Sequence, residues 1–130
     1  MTIVVGYVPT PEGEAAFDQA IKEARKAQSK LVVINSSRGD ALVDKRYAGE
    51  TEIEGIDQRL GKEGIEHIIL QPVRGHDAAI EVLEAAEAHQ ADLIVIGLRR
   101  RTPVGKLIMG STSQRILLEA DCPVLAVKAG

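Results

Sequence analysis

A chain of 130 residues, 45% hydrophobic and 27% charged, has the size and makeup of one globular domain, and a domain of this length buries enough surface to hold together without disulfides or structural metal. Its one cysteine, Cys122, has no partner within the chain, and aromatic residues make up only 2%, so the core is aliphatic and aromatic platforms for stacking bases are disfavoured. Lys and Arg number 16 against 19 Asp and Glu, and the resulting net charge of −3 argues against a general polyanion binder and confines any anion site to a local patch.

The first aliphatic run, Thr2 to Tyr7, reads as a strand. It is followed by Phe17, Ala20, Ile21, Ala24 and Ala27, whose spacings of three and four put them on one face of a helix. A second strand spans Leu31 to Asn35, and the polar stretch from Ser36 to about Gly49 reads as a loop. Ile53, Ile56 and Leu60 predict a second helix ending near Gly64, where glycine can adopt the left-handed cap. His67 to Val73 forms a third strand. A third helix, from about His76 to His89, is expected to turn Ala79, Val82, Leu83 and Ala86 inward and Glu81, Glu84 and Glu87 outward. A fourth strand follows from Asp92 to Gly97, then a long basic loop. The last helix, about Ser111 to Ala120, is expected to bury Ile116, Leu117 and Ala120, and Pro123 to Lys128 closes the order as a fifth strand.

Five strands separated by helical segments imply a parallel sheet, because helical crossovers are the usual way to join parallel neighbours. Unbroken runs such as LIVI and VLAV fit strands covered on both faces. The expected fold is therefore α/β, a doubly wound, five-stranded, Rossmann-like parallel sheet with helices on both faces, forming a single domain over residues 1–130. In such a sheet the ligand crevice lies beyond the carboxyl ends of the strands, at the switch point in strand order. Tyr7 to Thr10, Asn35 to Ser37, Arg74 to Asp77 and Gly97 onward are the segments that would meet there.

Gly97 to Ser113, GLRRRTPVGKLIMGSTS, carries the most chemistry. It starts at the end of an apolar strand and finishes by opening a helix, where backbone amides and the helix dipole can hold a phosphate. Gly97 leaves room for close backbone approach, Gly110 permits an unusual turn, and Ser111 offers a hydroxyl and an amide. Arg99, Arg100, Arg101 and Lys106 gather four cations within eight positions of an acidic chain. The segment is not a Walker loop, since Gly105-Lys106 is followed by Leu107.

These residues resemble the signature of the universal stress protein family: Gly, two residues, Gly, nine residues, Gly, then Ser or Thr. Gly97, Gly110 and Ser111 match three of the four positions, and Arg100 stands where the second glycine would be. DLIVIG, VGKLIMGSTSQRIL and CPVLAVK also look like that family's last third. The likeness extends over nearly the whole chain in element order and is weaker at the start. There the family usually ends its first strand in Asp-Gly-Ser, with the Asp associated with the nucleoside, and this chain has Val8, Pro9 and Thr10.

The resemblance implies the adenine nucleotide alpha hydrolase-like version of the doubly wound fold and a homodimer pairing through the last strand, Val124 to Lys128. In one branch of the family ATP, with Mg, lies across the crevice, and other members lack nucleotide. The expected nucleotide-binding residues are Val8, Pro9 and Ile34 on one side and Gly97, Arg99, Arg100, Gly110, Ser111, Thr112 and Ser113 on the other. Arg100 either supplies a phosphate contact or fills the site. The implied function is an ATP-binding stress-response or signalling module acting as a dimer, and the alternative is a nucleotide-free interaction protein of the same fold.

Plainer readings stand beside these. Ser111 with Gln114 three residues on makes a capping-box pattern that needs no ligand. Asp77 lies near the crevice but equally suits a helix start. His67, His76 and His89 lack metal-like spacing. No nucleophile elbow, zinc motif or positioned base is readable, so no residue is assigned to catalysis, and slow ATP hydrolysis is the most the pattern suggests. No run approaches the roughly 20 apolar residues of a bilayer span, and Met1 to Tyr7 lacks a signal peptide's basic region. The expected compartment is the cytoplasm, with neither membrane nor nucleic acid as partner.

Overall fold

A computed structural model describes residues 1–35, 49–72, 77–98 and 110–129. Its elements run β1 (Thr2–Gly6), α1 (Pro11–Ala27), β2 (Lys30–Ile34), α2 (Glu50–Lys62), β3 (His67–Leu70), α3 (Ala78–Ala88), β4 (Leu93–Leu98), α4 (Ser111–Glu119) and β5 (Val124–Lys128). The five strands form one all-parallel sheet in the order β3-β2-β1-β4-β5, so the expected α/β architecture is present and β5 is an edge. The chain winds outward from β1 to β3, then crosses back to β4 on the other side of β1. That reversal puts the switch point between β1 and β4.

Side-chain alternation divides the core in two. Ile3, Val5, Leu31, Val33 and Val95 face α1 and α2, meeting Phe17, Ala20, Ile21, Ala24, Ile56 and Leu60. Their neighbours Val4, Val32, Ile34, Ile94 and Ile96 face α3 and α4, meeting Ala79, Val82, Ala85 and Ile116. Both faces of the central strands are thus covered, which is why those strands read as continuous aliphatic runs.

Two helix faces differ from expectation. Glu81 is buried, at 5% exposure, in the inward stripe of α3 beside Val82. Helical spacing alone cannot separate the positions next to an inward residue when α3 lies snugly on the sheet. Leu117 is 37% exposed and Leu118 85% exposed, so the nine-residue α4 rests on the sheet chiefly through Ile116.

Two glycines fix how α1 meets the sheet. A Cβ at Gly97 would stand 2.1 Å from the Glu12 carbonyl oxygen, and one at Gly13 would stand 1.8 Å from that of Val8. These are backbone obstacles, so the contacts demand glycine. Gly55 and Gly61, by contrast, sit on the exposed side of α2, where an added methyl meets nothing within 4 Å. Gly97→Ala is therefore expected to lower stability by roughly 1–3 kcal/mol through overpacking. Gly55→Ala and Gly61→Ala should each raise it by about 0.5–1 kcal/mol, and urea unfolding of the three variants measures both signs.

On the outer strand β3, His67 Nδ1 lies 2.8 Å from the Ile65 carbonyl and Nε2 lies 2.7 Å from Asp57. Only the imidazolium can donate to both. Burial of the ring opposes its charge, but the carbonyl and the Asp57 carboxylate outweigh that and raise the pKa above the ordinary value. The raised pKa belongs to the folded state, so its stabilisation is fully present below the unfolded histidine's pKa and is lost as pH rises through the folded one. His67→Gln is expected to flatten that part of the stability–pH curve measured by urea unfolding across the titration.

Candidate functional site

At the carboxyl end of the sheet, the chain leaves β1 at Tyr7 and turns through Val8, Pro9 and Thr10 into α1. Thr10 caps that helix, its Oγ1 accepting from the Gly13 amide at 3.2 Å, and Pro11 supplies the fixed φ suited to the first helical position. The Thr10 amide donates to the Val8 carbonyl at 2.8 Å, which tightens the turn. Gly97 lies in β4 beyond the last β1–β4 pair, Val5 with Val95, and its backbone abuts Glu12. The room that glycine provides here is taken up by the start of α1, so its requirement comes from the fold.

Gly110 has φ −71° and ψ 166°, ordinary extended backbone, and a Cβ there would meet nothing within 4 Å among the described residues. The unusual turn expected at this glycine is not present. Gly110 occupies the cap position of α4 without a side-chain cap, and Ser111 is the first helical residue. The expected Ser111–Gln114 capping box is therefore out of register, since Ser111 is already helical and the Gln114 amide makes the first helical bond, to the Gly110 carbonyl at 3.0 Å. Ser111 is exposed, with Thr112 and Ser113 half-buried behind it. A helix start of this kind leaves its first amides without a side-chain acceptor and sets three hydroxyl-bearing residues beside them, the arrangement that attracts anions.

Val8 and Pro9 are half-buried in the turn, whereas Ile34 is 3% exposed and packed in the α3–α4 half of the core. Arg99 and Arg100 lie outside the described residues. Asp77 caps α3, its carboxylate accepting from the Ala79 amide at 2.8 Å, in keeping with the helix-start reading. Among the described residues, no cluster of three His, Cys, Asp or Glu is arranged to hold a metal ion, and no helix is long and apolar enough to cross a membrane.

A polar ladder under the crevice went unassigned in the sequence. Asn35, fully buried at the end of β2, donates from Nδ2 to the Tyr7 carbonyl at 2.9 Å and accepts from Gln71 Nε2 at 3.1 Å. Its amide donates to the Leu70 carbonyl, and the Tyr7 amide to that of Ile34, both at 2.9 Å. The ends of three strands are thereby tied together just where sheet hydrogen bonding stops. A buried amide in that position cannot be lost cheaply. Tyr7 is also buried and donates its hydroxyl to Glu14 Oε1 at 2.5 Å. Burial first, then the Glu14 bond and charge and the charge of Glu52, push its pKa far above the ordinary phenol value, so it remains a neutral donor.

The geometry defines a doubly wound parallel α/β protein whose last helix opens uncapped at the carboxyl edge of the sheet. Residues 1–128 match the Universal stress protein family, and the chain belongs to that family. A universal stress protein of Mycolicibacterium smegmatis is 48% identical over 126 residues, covering 97% of this chain and 96% of its own. The structure of a universal stress protein from Archaeoglobus fulgidus is 30% identical, with 98% of both chains covered and a TM-score of 0.73. A structure from the same organism in complex with dAMP is 24% identical, with the same coverage and a TM-score of 0.67. Two more distant structures of the family are complexes with cAMP (22% identity, TM-score 0.67, 100% and 98% coverage) and, from Arabidopsis thaliana, with AMP (12%, 0.68, 100% and 92%).

Asn35→Ala would leave the Tyr7 carbonyl and the Gln71 amide without this partner. It is expected to lower stability by about 1–3 kcal/mol in urea unfolding and to speed amide hydrogen exchange at Tyr7 and Asn35 more than in the middle of β1.

Proposed function

We propose that this chain is an adenine-nucleotide-binding stress protein, a single domain that takes ATP, with Mg, across the carboxyl ends of β1 and β4. The observation that carries the reading is the open start of α4. Gly110 leaves the cap position without a side chain, and Ser111, Thr112 and Ser113 supply amides and hydroxyls where a phosphate would sit. The complexes of relatives with dAMP, cAMP and AMP support an adenine nucleotide as the ligand class. On this reading Val8 and Pro9 flank the nucleoside, Ile34 backs the site through the core, and Arg99 and Arg100 meet the phosphates. The protein acts in the cytoplasm as a homodimer joined along Val124 to Lys128. The edge position of β5 supports that pairing, because a twofold partner would close an otherwise unpaired strand edge.

One observation favours a nucleotide-free interaction protein instead: Val8 offers no carboxylate to the nucleoside. Native mass spectrometry of the purified protein separates the two by retained nucleotide. Gly110→Val tests the cradle itself. The extended φ and ψ, and the absence of any described residue within 4 Å of an added Cβ, let valine fit, so the protein should stay folded with a loss of only about 1 kcal/mol from the poorer helix cap, while ATP affinity falls at least about tenfold by calorimetry. Unchanged affinity removes α4 from the site.

A further inference from the structure

We propose that the groove between α3 and α4 docks a basic amphipathic segment of a partner protein. The groove encloses about 440 Å³ at the amino ends of β4 and β5, the pole opposite the nucleotide crevice. Its floor is apolar, made by Ile80, Leu83, Ile94, Ala120 and Cys122. Its rim carries Glu84, Glu87, Glu119 and Asp121 against one cation, Arg115, which is already paired with Glu119 at 2.7 Å.

The helices bordering the groove add to this field. Both α3 and α4 end beside it, and neither has a basic residue in its last turn, whereas α1 ends with Arg25 and Lys26 and α2 with Arg59 and Lys62. The carbonyl ends of two helices and four carboxylates therefore point to a cationic occupant with an apolar side. A second copy of this chain would bring the same acidic rim against itself, which disfavours a symmetric pair here. Beyond the cavity, Leu118 is 85% exposed on α4, three residues and so about one helical turn from the rim residue Arg115. A small amine filling the cavity would leave Leu118 unused, whereas an amphipathic segment lying along the groove covers it.

Cys122, the chain's one cysteine, reports on occupancy because it lies in the floor. The probe is a fluorescein-labelled synthetic peptide of Leu and Lys in helical period, roughly 14 residues or about 20 Å long. A control peptide has Glu in place of Lys. The Lys peptide should bind by fluorescence anisotropy and, at saturation, slow the reaction of Cys122 with an aromatic disulfide reagent by at least about tenfold. Glu84→Lys combined with Glu87→Lys should weaken binding by about tenfold, and Leu118→Ser by about threefold, while Glu54→Lys on the distant α2 should not change it.

Failure of the Lys peptide to bind, or equal binding by the Glu peptide, overturns the proposal. So does binding that ignores the α3 charge reversal. Protection of Cys122 by benzylamine that is indifferent to Leu118→Ser would assign the groove to a small amine instead. Protection that grows with the protein's own concentration would assign it to a second copy.

Discussion

The arrangement of this molecule depends on a backbone-to-backbone contact between the start of α1 and the end of β4. Gly97 and Gly13 allow the Glu12 and Val8 carbonyls to approach within distances that no side chain could share. α1 is thereby held across the junction of β1 and β4, where the strand order reverses. The same edge is tied by two further bonds, the Tyr7 hydroxyl donating to Glu14 and the Asn35 side-chain amide donating to the Tyr7 carbonyl. The crevice is thus shaped by packing that exists without ligand, which is the preorganisation a small binding site needs.

The two ends of α4 differ in what they present. At the carboxyl pole the helices begin, and α4 begins with hydroxyls and no side-chain cap. At the amino pole α3 and α4 end, with carboxylates around them and no cation in their last turns. The proposed anion site and the proposed docking groove are compatible in one acidic chain, because each would depend on local dipoles and neighbouring charges rather than on the net charge of −3.

Much of the fold was readable in advance because strands covered on both faces need unbroken aliphatic runs. LVVI and LIVI could hardly be anything else, and the helix stripes of α1 and α2 were set by Phe17, Ala20, Ile21 and Ala24 and by Ile56 and Leu60. What the sequence hid was nonlocal. Nothing beside Gly97 in the chain reveals that Glu12 lies against it, so close approach to a ligand and close approach to a helix look alike. Glu81 looked solvated by helical spacing, yet it sits beside Val82 in the buried stripe. Leu117 looked buried beside Ile116 in the apolar run, yet it is 37% exposed and the helix contacts the core mainly through Ile116. Asn35 ended a hydrophobic run and could be flagged only as lying near the crevice. Its importance comes from partners 28 and 36 residues away.

The most direct measurement is the amide nitrogen–proton spectrum of the labelled protein during titration with ATP and magnesium. Saturable shifts are expected at Ser111 to Ser113 and at Val8 and Thr10, on the two sides of the β1–β4 junction, with little change at Glu50 to Lys62 on α2. Shifts confined to other surfaces, or none at millimolar ATP, would contradict a nucleotide site at the open end of α4.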